Sequence, residues 1–63
     1  MKTIININLK NGDSIRLAFV ESIVAGIQFL TVVFRNESIY KCEMMFDLSV
    51  IKSIDFEVEE NGN

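Results

Sequence analysis

Val20-Glu21-Ser22-Ile23-Val24-Ala25-Gly26-Ile27-Gln28-Phe29 decides the fold of this chain, because the segment can be read with two different periods. As a helix it places Val20, Ile23, Val24 and Ile27 on one stripe, with Gly26 as an internal weakness. That reading makes the protein α+β, with a short helix near residues 18–28. As strand, the segment continues the stretch before it with a bend, turns tightly at Ala25-Gly26, and enters a further strand through Ile27, Phe29, Thr31 and Val33. The β-branched content from Ile27 to Val33 supports strand for that half. Gly26 and the β-branched residues before it favour strand for residues 20–26 as well. The expectation is an all-β chain.

Upstream, Ile5, Ile7 and Leu9 alternate with Asn6, Asn8 and Lys10, and Ile15, Leu17 and Phe19 alternate with Arg16 and Ala18. Between them lies Asn11-Gly12, a pair suited to a type I′ turn because both central residues there need positive φ. This predicts a hairpin with strands near 2–10 and 14–21, with Asp13 able to lengthen the connection by one residue. Downstream, the polar run Arg35-Asn36-Glu37-Ser38 reads as a second hairpin loop. A fourth strand then runs from Ile39 to about Met45, with Tyr40, Cys42 and Met44 in phase. Asp47-Leu48-Ser49 suggests one turn of 3₁₀ helix capped by Asp47. In the last strand Ile54, Phe56 and Val58 alternate with Asp55, Glu57 and Glu59. Residues 1–60 read as one small domain and residues 61–63 as a frayed tail. The predicted architecture is a small five-stranded, strongly bent antiparallel sheet or barrel with a single 3₁₀ turn before the closing strand.

That order of elements resembles the small SH3-like and Sm-like barrels. The resemblance is carried by Leu9-Lys10-Asn11-Gly12-Asp13 in the first hairpin and by Leu48-Ser49-Val50-Ile51-Lys52-Ser53-Ile54 leading into the last strand. It spans nearly the whole chain and implies a barrel fold. Sm-like RNA binders also have an N-terminal helix and a basic residue beside a Gly near the fourth strand. This sequence has neither, so the resemblance does not imply RNA binding.

Composition narrows the function classes. The chain has 63 residues, 49% of them hydrophobic, with one Cys and no His, Pro or Trp. A domain this small buries only about 60% of the surface its unfolded chain exposes and usually needs a staple. A lone Cys42 offers no intrachain disulfide, and one Cys without His makes a structural zinc site a poor expectation. The surplus of apolar residues therefore points to self-association. Met1-Lys2-Thr3 runs straight into the alternating pattern without a signal-peptide profile, and residues 18–34 are too interrupted to span a membrane. A cytoplasmic location is expected. Nine acidic residues against six scattered basic ones argue against a nucleic-acid partner.

Without His, nucleophilic catalysis lacks its usual base, so the chain is read as non-enzymatic, and no cofactor or metal is expected. Cys42 reads as a small core residue in phase with its neighbours. Two surfaces are candidates for binding. In Phe29 to Phe34 both strand faces are apolar, and Leu30, Val32 and Phe34 are assigned to the outer one as an oligomer or partner contact. The acidic group Asp55, Glu57, Glu59 and Glu60 reads first as a solubilising edge. It supports an alternative function, that of a phage- or plasmid-type inhibitor binding a basic surface of a nucleic-acid-handling enzyme. The leading expectation is a self-associating binding or adaptor module whose partners are its own copies and another protein.

Overall fold

The computed structural model describes residues 2–36 and 40–60. The tail expected at 61–63, the loop positions Glu37 and Ser38, and the expected start of the fourth strand at Ile39 lie outside the described residues. The strands are β1 (Lys2–Leu9), β2 (Ser14–Ala18), β3 (Val20–Ala25), β4 (Phe29–Asn36), β5 (Tyr40–Asp47) and β6 (Ile51–Glu59), with a 3₁₀ turn at Leu48–Val50. All pairings are antiparallel, in the orders β2-β1-β6 and β3-β4-β5. The chain is all-β, and residues 20–25 are strand.

The two sheets share one bent strand. β2 runs into β3 through Phe19 alone, whose φ of 55° lies in the left-handed region. Such a conformation costs a non-glycine residue roughly 1–2 kcal/mol. Its neighbours hold it there: the Phe19 carbonyl accepts the Arg35 N–H at 3.1 Å, and the Lys2 ammonium sits 5.5 Å from the ring centroid. Together the strands trace the path β6-β1-β2/β3-β4-β5, strongly bent and not closed into a barrel.

Register decides which side chains meet inside the bend. Ile5 faces Leu17 and Phe56, and Ile7 faces Ile15 and Ile54; on the second sheet Val32 lies between Ile23 and Met44, and Leu30 between Ala25 and Phe46. The inner faces merge into one cluster of Ile5, Ile7, Leu17, Leu30, Val32 and Phe46, flanked by half-buried apolar neighbours from every strand but β5. Ile4 is also fully buried, although it points to the opposite face and lies outside this cluster.

Two bulges explain the ambiguous period of the sequence. Between Val20 and Ser22 the register against β4 slips, so Glu21 is an extra residue and Val20 and Ile23, three apart, share the inner face. A strand with one bulge thus imitates the first step of a helical stripe. Ile27 does not continue it: it sits at the tip of the β3–β4 connection, fully exposed, and β4 begins only at Phe29. A second slip opposite Asn8 and Leu9 makes Lys52 the extra residue of β6.

The first connection corrects the expected turn type. Gly12 N–H donates to the Leu9 carbonyl at 3.0 Å, Leu9 N–H to that of Asp13 at 2.8 Å, and of the turn residues only Gly12 has positive φ, at 99°. This is a three-residue loop with Gly in the left-handed position rather than a two-residue I′ turn, which would need Asn11 there as well. Asp13 closes it, donating its N–H to Asn11 Oδ1. The second loop also differs: Arg35 and Asn36 remain in β4, paired with Lys41 and Tyr40. The 3₁₀ turn matches the expectation, with the Asp47 side chain accepting the Ser49 N–H at 2.9 Å.

Burial corrects one assignment directly. Leu30 and Val32 are core residues, 3% and 0% exposed, and Phe34 packs beside them. The outer face of β4 is Phe29, Thr31, Val33 and Arg35. Alternation showed that 30, 32 and 34 share a face, but only pairing with β3 and β5 determines that this face is the inner one.

Two outcomes follow. Leu30→Ala should cost about 2–5 kcal/mol by urea denaturation, whereas Val24→Ala, on the outer face of β3, should stay within about 0.5 kcal/mol. Similar effects at both positions would refute the face assignment. Asp47 has its carboxyl held below the ordinary 3.8 chiefly by the Ser49 backbone N–H, with the Ser49 and Gln28 side chains adding to it. A depressed folded value stabilises the fold above the unfolded pKa and loses that contribution as pH falls through the folded one. Wild type should therefore exceed Asp47→Ala by a constant margin above about pH 5, and the margin should shrink in acid. A pH-independent margin in the same denaturation series would contradict this.

Candidate interaction surfaces

Three surfaces emerge once the faces are assigned. The first is the outer face of β2-β1-β6, where the acidic residues of β6 lie. Each strand residue of that group meets a partner across the sheet. Lys2 pairs with Glu59 at 3.0 Å; Glu57 accepts from Asn6 Nδ2 at 3.1 Å and from Arg16 at 3.4 Å; Asp55 accepts from Asn8 Nδ2 at 2.9 Å. Asn8 also donates to Ser53 and accepts from Ser14. The register generates this ladder, because Asn6 lies opposite Asp55 and Arg16, and Asn8 opposite Ser53 and Ser14. Glu57 and Glu59 are thus paired with cations and Asp55 is hydrogen-bonded within the chain, and Glu60 is exposed just beyond β6. The alternating Asn residues of β1, which read only as polar spacers in the sequence, are the complement that sequence reasoning missed. Among the described residues no three His, Cys, Asp or Glu side chains gather as a metal site.

The second surface is the inner face where the sheet fails to close. Tyr40, Cys42 and Met44 on β5, and Ile54, Phe56 and Val58 on β6, all point to the core side, as their alternation implies. Yet Tyr40 is 68% exposed, Phe56 63% and Val58 61%, and Cys42 is only half-buried. Among the described residues β5 pairs only with β4, and β6 only with β1. Cys42 therefore departs from its expected core burial because its strand is an edge. The apolar excess placed by sequence at Phe29 to Phe34 lies largely on these two edge strands instead.

The third surface is the outer face of β3-β4-β5. Val24, Thr31 and Met45 form a row across the three strands, with Phe29 beside it. Val24 and Met45 are well exposed, and Phe29 partly so. Further along, Glu21 is paired with Arg35 and lies 4.0 Å from the Lys41 ammonium.

A shallow groove of about 350 Å³ also opens between the hairpin tip and the 3₁₀ turn, lined by Leu9, Lys10, Asn11, Ser49 and Val50. Its walls are tied together by the Lys10 N–H donating to the Val50 carbonyl at 2.9 Å. Lys10 is its only charged side chain. No helix of the described residues is long and apolar enough to cross a membrane. Comparison with protein-family models, with curated proteins and with solved structures yields no match.

The compensated ladder makes a prediction of sign. If Glu57 chiefly satisfies Arg16 and Asn6, Glu57→Gln should lower stability by about 0.5–1 kcal/mol, less at high salt. If repulsion among the β6 carboxylates dominates, the same change should raise it. Chemical denaturation in low and high salt distinguishes the two.

Proposed function

We propose that this chain is a non-enzymatic binding module that self-associates through an open sheet edge, in a reducing cytoplasm where Cys42 remains a thiol. The observation that carries the proposal is the exposure of inward-facing apolar side chains on both edge strands, Tyr40 and Met44 on β5 and Phe56 and Val58 on β6. Their positions are those of a core, yet among the described residues no further strand covers them. An edge strand with free backbone groups and an apolar face is a template for pairing with another strand. Association supplies the missing neighbours and the burial that a domain of this size lacks.

The fold proposed for the module is that of the SH3-like and Sm-like barrels, left open between its first and last edges. The outward row of Val24, Thr31 and Met45 remains free in such an assembly for a second protein. The engagement of Asp55, Glu57 and Glu59 by side chains of their own sheet favours a structural role for the acidic stripe over an inhibitory one.

Light scattering across a concentration series tests the reading. The native mass should be a multiple of 7.2 kDa. A monodisperse monomer at high micromolar concentration would dispose of it.

A further inference from the structure

Resting on the self-association reading, we infer which edge pairs and in what register: β5 pairs with β5 of a second copy, antiparallel about a two-fold axis that passes through Cys42. The Leu48 N–H donates to the Gln28 carbonyl, extending the β4–β5 ladder by one pair. Hydrogen-bonded and non-hydrogen-bonded pairs alternate along an antiparallel ladder. The even-numbered residues of β5 therefore direct their backbone groups to β4, and Lys41, Glu43 and Met45 direct theirs to the open edge. Pairing of two copies must place odd-numbered residues opposite odd-numbered ones.

Side-chain charge then selects among the registers this allows. With Lys41 opposite Lys41, or Glu43 opposite Glu43, like charges meet at the axis, which is destabilising in directly opposed cross-strand pairs. Moving the axis to Met44 sets Lys41 against Asp47 but Glu43 against Met45. With the axis at Cys42, Lys41 of each copy faces Glu43 of the other, so two opposite-charge pairs form on the outer face. On the inner face the same register sets Tyr40 opposite Met44 twice and Cys42 opposite Cys42. This is the one register among the four in which both faces are complementary. Lys41 is available for it, being 66% exposed and no closer than 4.0 Å to its intrachain partner Glu21.

The other edge does not offer this. A two-fold pairing of β6 with itself sets Asp55, Glu57 and Glu59 of one copy among those of the other. These carboxylates are also already engaged by Asn8, Arg16 and Lys2. β6 thus carries a charge pattern that resists its own copy, while β5 carries one that fits it.

Cys42 reports the register. At a non-hydrogen-bonded antiparallel pair the Cα atoms are about 4.5 Å apart, within the range of a disulfide. Diamide should convert the dimer to a covalent species of twice 7.2 kDa, the two thiols giving up two protons and two electrons to the reagent. Lys41→Glu should weaken association about tenfold or more, since symmetry counts the substitution twice. The exchange K41E/E43K should restore both association and cross-linking, and far-UV circular dichroism should show all variants folded alike. An oligomer that neither cross-links through Cys42 nor responds to Lys41→Glu overturns this register while leaving self-association standing. A monomer that does not associate overturns both.

Discussion

Everything in this structure depends on the bend at Phe19. One strand supplies β2 to the first sheet and β3 to the second, and a single residue at φ 55° turns the inner face of one toward that of the other. Without the turn, Ile5, Ile7 and Leu17 would lie on one side of a nearly flat ribbon with nothing above them, and Leu30, Val32 and Phe46 likewise. With it, the six residues meet and form the core. The local cost of a left-handed phenylalanine, roughly 1–2 kcal/mol, is small beside the burial it permits, since full burial of one large apolar side chain contributes about 1.5–3 kcal/mol. The Arg35 N–H and the Lys2 ammonium fix the bend from both sides.

The same bend creates the edges. A strand path of this length folds over once but does not bring β5 back to β6, so the sheet retains two unpaired borders among the described residues. The borders differ chemically. β6 carries on its outer face carboxylates that Lys2, Asn6, Asn8 and Arg16 of β1 and β2 hold in place without removing their charge. β5 carries alternating Lys41 and Glu43 with Met45. Edge strands in soluble proteins are commonly protected by charge, and on these grounds β6 is the protected border and β5 the permissive one.

Alternation made much of this legible from the sequence. The first hairpin, the in-phase series Tyr40-Cys42-Met44 and Ile54-Phe56-Val58, and the Asp47-capped turn all follow from period-two patterns and turn chemistry. What alternation does not contain is the identity of the inner face when both faces are apolar. Leu30-Thr31-Val32-Val33-Phe34 is such a case, and its even residues belong to the core only because Ala25, Ile23, Phe46 and Met44 stand beside them. Nor does it contain bulges. The extra residue at Glu21 broke the period where the helix and strand readings competed, and the exposed Ile27 completed an apparent helical stripe that no helix uses.

The acidic group illustrates the limit in the other direction. Asp55, Glu57, Glu59 and Glu60 look like a uniform negative stripe when the last strand is read alone, because their complements lie some fifty residues earlier, at Lys2, Asn6, Asn8 and Arg16. Pairing β6 with β1 converts the stripe into a ladder of hydrogen bonds and ion pairs, each of modest worth when exposed. Their value lies in specificity more than in energy. A one-residue slip of β6 against β1 would move Ile54 and Phe56 to the outer face and leave the carboxylates facing the core. The polar ladder and the apolar core therefore select the same register from opposite faces. For a chain with so small a core, that agreement gives the sheet one arrangement.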